Sequence, residues 1–186
     1  MFKKILKAIR TYYFRDAIKK VQRDKSVVGY EHAQKIGVLF ECNSADDYRT
    51  ILSVVRDLEK DGKSVYALVY VNAKTLPTFT MAQVNFFYCL RNEFAWNLKL
   101  KNTHLYNFLN AGLDIVIDFS SGDFFPLKYL VGLCVAQYRV GFYHDEYVDV
   151  FDLMVQDSPG QPIELRIENI FKTIQMITPA SHDKQF

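Results

Sequence analysis

Glycine and proline are scarce in this chain, eight and five among 186 residues, and cysteine is scarcer still at three. So little Gly and Pro excludes a collagen-like or low-complexity chain. With 49% hydrophobic and 15% aromatic residues, the chain also falls outside the composition of a disordered protein. Cys42, Cys89 and Cys134 stand 47 and 45 residues apart. That spacing contains no CxxC pair, which removes the usual zinc and redox motifs and leaves three small hydrophobes for the core. No stretch approaches the roughly 18 consecutive apolar residues of a transmembrane helix. The start MFKKILKAIR lacks the apolar run and small-residue cleavage site of a signal peptide. The expectation is a cytoplasmic globular protein with one main core and no bound cofactor or metal.

What is present is unevenly charged. Residues 1–25 carry nine cations against Asp16 and Asp24, a net +7, whereas the remaining 161 residues carry −5, so the total of +2 hides a basic arm on an acidic body. Residues 2–24 contain no Gly or Pro, and Phe2, Ile5, Leu6, Ile9, Tyr12 and Tyr13 recur at helical spacing. Beyond Tyr13 the apolar stripe moves round the helix to Phe14, Ala17, Ile18 and Val21, which asks for two contact surfaces or a bend. Lys3, Lys4, Lys7, Arg10, Arg15, Lys19 and Lys20 are the candidate contacts to an anionic partner: a membrane surface, a ribonucleoprotein or the groove of another protein. The competing arrangement has the arm packed along its own acidic body. Gly29 in the segment 26–34 marks a hinge.

From residue 35 the pattern alternates. IGVLFE reads as a strand buried on both faces. Ser44 with Asp47 forms a variant capping box for a helix carrying Tyr48, Ile51, Leu52, Val55 and Leu58, and Gly62 ends it. VYALVYV is the next strand, so the three elements make a parallel βαβ unit. A third strand is expected near Phe86–Cys89, followed by an irregular stretch. Then come a short helix over 103–110, the strand LDIVIDF, a helix from Pro126 to Gln137, the strand YRVGF, a strand in VFDLMV and a helix from Pro162 to Ile177. The predicted architecture is a three-layer α/β sandwich around a mostly parallel, Rossmann-like sheet of five to six strands, preceded by the basic helix. Its organisation is 1–34 helix and hinge, 35–178 body and 179–186 disordered tail.

Ligands of such sheets bind beyond the carboxyl ends of the strands. The loop after IGVLFE has no dinucleotide glycines and no phosphate loop, which removes the usual NAD, FAD and ATP chemistry, though the helix start at Ser44 offers N–H groups to a small anion. The loop after LDIVIDF is the best candidate pocket, with Asp118, Ser120, Ser121, Gly122 and Asp123 within six positions. Carboxylates and hydroxyls so close together suit a sugar, a metal-phosphate or a nucleotide hydroxyl, and they equally suit the start of a helix. His144, beside Asp145 and Glu146, follows the next strand and joins the candidates as a base or a turn residue. Phe86, Phe87, Tyr88, Phe94 and Trp96 are read as packing aromatics.

IGVLFE, VYALVYVN, LDIVIDFS and KYLVGLCVAQYRVGFY together resemble a family of bacterial proteins known as a domain of unknown function. The resemblance covers most of residues 35–156 and implies a basic stretch ahead of an α/β body, with no activity attached. Residues 113–143 are also similar to the N-terminal half of heptosyltransferase-type glycosyltransferases. Those enzymes hold a sugar nucleotide between two such domains, and this chain has room for one, which implies a half that binds without turnover. The sequence therefore points to a non-catalytic binding or adaptor protein attached through its basic helix. The alternative is an enzyme or ligand-binding protein for a nucleotide or sugar phosphate at the sheet edge.

Overall fold

The computed structural model describes residues 2–95, 98–122, 124–158 and 160–177, and of residues 2–8 the backbone. Six strands, β1 (Lys35–Glu41), β2 (Ser64–Val71), β3 (Phe86–Leu90), β4 (Leu113–Asp118), β5 (Ala136–Phe142) and β6 (Leu153–Val155), form one sheet in the order β3-β2-β1-β4-β5-β6. Every neighbouring pair is parallel. This is the doubly wound order, and the chain reverses its direction of travel between β1 and β4.

The period-two alternation of a strand buried on both faces is visible in β1. Ile36, Val38 and Phe40 enter one core, Leu39 the other, and all four are buried. The first core lies under α2 (Ala45–Lys60) and α5 (Ile163–Met176), which contribute Ile51, Val55, Leu58, Ile167, Ile170 and Ile174. The second lies under α3 (His104–Leu109) and α4 (Phe125–Leu133), with Phe108, Leu127, Leu130 and Val131. The three-layer sandwich and its parallel sheet are thus as the sequence indicates.

The N-terminal helix α1 (Phe2–Lys19) packs on the α4 side. Phe14 is 2% exposed and meets the rings of Phe125, Tyr129 and Tyr147. Gly132 permits the close approach, because a Cβ there would sit 2.7 Å from Ile18 Cδ1. The helix ends at Lys19, five residues before the expected 24. Beyond it the chain runs alongside β5, where Ser26 N donates to Gln137 O (3.3 Å). Arg23 grips Asp152 with two bonds of 2.7 Å and also donates to Gln137 O. These long-range bonds replace the helical ones.

Two other boundaries differ from expectation. The helix expected to run to Gln137 stops at Leu133, where Cys134 is extended, Val135 N donates to Leu109 O (2.7 Å), and Ala136 already pairs with Leu113. In VFDLMV only Leu153–Val155 is strand, since Val150 and Phe151 close a turn on Tyr147 O. The tail 179–186 lies outside the described residues. Among the described residues no helix is long and apolar enough to cross a membrane.

Candidate functional site

The switch between β1 and β4 opens a crevice at the carboxyl edge of the sheet. Phe40 and Phe119 stack at 4.7 Å between ring centres as its apolar base. Above them is a cavity of about 210 Å³ whose polar lining includes Glu41, Asn43, Ser120, Ser121 and Arg166. Asn43 Nδ2 donates to Glu41 Oε1 (2.8 Å), which fixes the pair on one wall. On the facing wall Arg166, nine-tenths buried on α5, donates Nε and Nη2 to the two oxygens of Asp157 (2.8 and 3.0 Å) and Nη2 again to Ser121 Oγ (2.5 Å). Its plane lies over the Phe142 ring. Among the described residues, Nη1 is the guanidinium nitrogen without a protein partner. The first turn of α5, beginning at Ile163 on the crevice wall, has no side-chain cap.

The start of α2 is different. Ser44 Oγ accepts from Asp47 N (3.1 Å) while Asp47 Oδ2 accepts from Ser44 N and Asn43 N (2.9 and 2.8 Å). The capping box foreseen in the sequence is complete, and it uses N–H groups that an anion there would need.

The loop residues singled out in the sequence have separate fates. Asp118 is fully buried, with Oδ2 accepting from Lys128 Nζ (2.8 Å) and Oδ1 from Ser120 N (2.8 Å). Lys128, also fully buried, donates further to Ser120 O and Oγ. Asp118 and Lys128 thus serve as an internal strut that shapes the loop. Ser120 turns its hydroxyl inward to Lys128, Ser121 faces the crevice, and Gly122 takes the left-handed turn (φ +52°) that leads to α4. Asp123 lies outside the described residues. His144 stands after β5, where its Nδ1 accepts from Glu146 N (3.2 Å) and its ring leans on Tyr147, away from the crevice lining.

The basic residues also divide. Arg15 is ion-paired with Asp149 and donates to Glu146 O, tying α1 to the body. Lys20 pairs with Asp16 within the arm, and Lys19 is exposed. Arg10 lines a second cavity, of about 330 Å³, together with Arg91, Tyr70 and Phe94. The side chains of Lys3, Lys4 and Lys7 lie outside the described residues. Ile9 and Tyr12 are 41% and 68% exposed, on the side of α1 turned away from Phe14. The shifting apolar stripe in the sequence therefore corresponds to one docked face and one open face.

Residues 7–177 match the model of a family of unknown function (DUF6913). The chain belongs to that family. The matched span takes in most of α1, the whole sheet and every crevice residue, so these features lie within one family unit. No curated protein matches the chain.

Burial pushes the Cys42 thiol up to about 11 and the Cys134 thiol up to about 12, so neither offers a thiolate at neutral pH. Cys89 is raised as well, by burial and then by Glu93. Among the described residues no cluster of three or more His, Cys, Asp or Glu has the arrangement of a metal site. Sequence reasoning missed Arg166 and Lys128. Each left a trace: Arg166 is a charge on the buried stripe of Ile163, Ile167, Ile170 and Ile174, and Lys128 is the sole charge in FFPLKYLVGLC.

Proposed function

We propose that this protein binds a sugar phosphate in the crevice between β1 and β4. The observation that carries the reading is Arg166, a nearly buried cation at a polar cavity on the topological switch point, with Nη1 uncommitted beside the uncapped start of α5. That end suits a phosphate or carboxylate. The opposite end, Glu41 with Asn43, suits hydroxyl groups, since a carboxylate accepts from them and repels a second anion. About 210 Å³ is below the roughly 300–1,000 Å³ typical of drug-sized sites, which favours a monosaccharide-sized group over a whole dinucleotide. The likeness of residues 113–143 to heptosyltransferase-type halves points toward the same ligand class. Among the described residues Ser121 Oγ is held by Arg166 and Glu41 by Asn43, an arrangement that favours binding over turnover.

The test is titration of the full chain with a panel of sugar phosphates and nucleotides, followed by heteronuclear NMR. Shifts confined to Glu41, Asn43, Ser121 and Arg166, weakened by Glu41→Gln or Asn43→Ala without loss of melting temperature, are expected. Silence across the panel sinks the proposal.

A second reading rests on Ile9 and Tyr12, whose exposure leaves one face of α1 open for attachment to an anionic partner. Reversing Lys3, Lys4 and Lys7 to Glu then abolishes association while the melting temperature stays nearly constant.

A further inference from the structure

The cavity of about 330 Å³ that Arg10 and Arg91 line lies at the same edge of the sheet as the crevice, but on the α4 side. Tyr70 stands one residue from the end of β2, and Arg91 follows the last residue of β3. Phe125 and Pro126 in the first turn of α4 form another wall, and that turn has no side-chain cap. Docking of α1 adds the fourth element. Phe14 meets the Phe125 ring at 5.6 Å, and Arg10 lies one helical turn before Phe14. Tyr70 is the register partner of Glu41, which lines the crevice, so the two cavities are neighbours with separate linings.

The charge of this cavity is one-sided. Among the described residues that line it none is acidic. Arg15, Arg23 and Arg166 each hold a carboxylate, whereas the guanidinium groups of Arg10 and Arg91 have no ion pair and no hydrogen bond among the described residues. Tyr70 is only 5% exposed, and its hydroxyl likewise has no hydrogen-bond partner among them. Burial raises that hydroxyl above its ordinary range, which keeps it a neutral donor at pH 7. The uncapped start of α4 adds the positive end of a helix dipole. Two cations and a donor bordering one space without a counter-charge favour a bound anion.

The remaining lining is aromatic and fixed. Phe94 and Phe125 are half-buried, and both pack on the ring of Tyr129, at 6.2 and 6.0 Å between centres. Leu98, buried on the same wall, keeps a left-handed backbone (φ +66°) that a leucine adopts only at a cost. Held rings beside free guanidiniums suit a flat ring carrying an anionic group.

We infer that this cavity binds a nucleoside monophosphate, its phosphate on Arg10 and Arg91 and its base against Phe94 and Phe125. A phosphate monoester carries about −1.5 to −2 charges at pH 7, and a guanidinium fork meets its oxygens in pairs. The volume lies at the lower end of the roughly 300–1,000 Å³ of small-molecule sites, which fits one nucleotide rather than two. Arginine side chains supply here what backbone N–H groups supply in a phosphate loop, a motif this chain lacks. The site is separate from the sugar-phosphate crevice and does not rest on it.

Calorimetric titration of the full chain at low salt with adenosine and uridine monophosphate, inorganic phosphate and adenosine tests this. Both nucleotides are expected to bind at least about tenfold more tightly than phosphate or adenosine alone, since only they engage both halves of the cavity. Arg10→Gln and Arg91→Gln should each weaken them at least about tenfold, and Tyr70→Phe by a smaller factor. The arginine variants lose no hydrogen bond or ion pair, so their melting temperatures without ligand should match the parent's. In heteronuclear NMR, adenosine monophosphate should shift Tyr70, Arg91 and Phe94. Failure of both nucleotides to bind overturns the inference, as does an affinity that neither arginine variant changes. Inorganic phosphate bound as tightly as the nucleotides overturns the part given to the base and with it the ligand class. Shifts centred on Ser121 and Arg166 assign the nucleotide to the crevice and overturn this site, whereas silence of the sugar phosphates alone overturns only the crevice reading.

Discussion

Lys128 Nζ sits 2.8 Å from Asp118 Oδ2, and neither side chain has any exposure to solvent. A pair so placed costs several kcal/mol per ion in desolvation and is repaid only by complete hydrogen bonding, which Ser120 provides through its N–H, carbonyl and hydroxyl. Removing one partner strands the other. Lys128→Met is therefore expected to lose about 3–5 kcal/mol in chemical denaturation, while Lys128→Met with Asp118→Leu recovers most of it. A double variant no better than the single would show that the pair contributes through more than its charges.

Asp152 ties the segment after α1 to the sheet. Burial raises its carboxyl, but the bonds from Arg23, Lys25 and the Arg139 N–H outweigh that and hold it below the ordinary carboxylate range. A depressed folded value means that its stabilisation is present above the unfolded value of about 3.9 and is lost as pH falls through the folded one. Asp152→Asn is expected to cost about 3 kcal/mol at pH 7. The gap to the parent should close on acidification below about pH 4. A gap that persists undiminished at pH 2 would assign the effect to packing.

All three cysteines are free and buried, with thiols raised by burial. At pH 8 iodoacetamide should label the native protein negligibly and all three after unfolding, read by intact mass. Rapid labelling of a single thiol in the native protein would contradict this.

The contact of Gly132 with Ile18 sets the distance between α4 and α1. Gly132→Ala is expected to cost about 1–3 kcal/mol by overpacking. Combined with Ile18→Ala the two losses should fall short of their sum by more than about 0.5 kcal/mol, because the smaller side chain makes room. Strict additivity in the cycle would place the strain elsewhere.

The sheet was the most legible part of the sequence because its strands advertise themselves. IGVLFE and VYALVYV are short apolar runs, and a capped amphipathic helix between them leaves a parallel crossover as the natural connection. The ends of α1 and α4 were not legible. Residues 20–24 and 134–137 contain no Gly or Pro to stop a helix, and the stop comes from Arg23 with Asp152 and from Val135 with Leu109, contacts remote in sequence. At the crevice, Ser121 could be read from its loop, but Arg166 arrives from 45 residues away on a different layer. Asp118 looked like a ligand group because its buried partner lies across a helical turn that sequence spacing does not reveal.

The place of α1 also bears on how the protein is made. Phe14 leaves the ribosome early, but the rings it packs against, Phe125, Tyr129 and Tyr147, follow more than a hundred residues later. Synthesis proceeds at about 5–20 residues per second, so for several seconds the basic helix has no home surface. β1, β2 and β3 can pair in that interval, since they are complete by residue 90. During that time both faces of α1 stay open, and whichever chaperone, membrane or nascent neighbour meets the helix first does so before the fold can claim it.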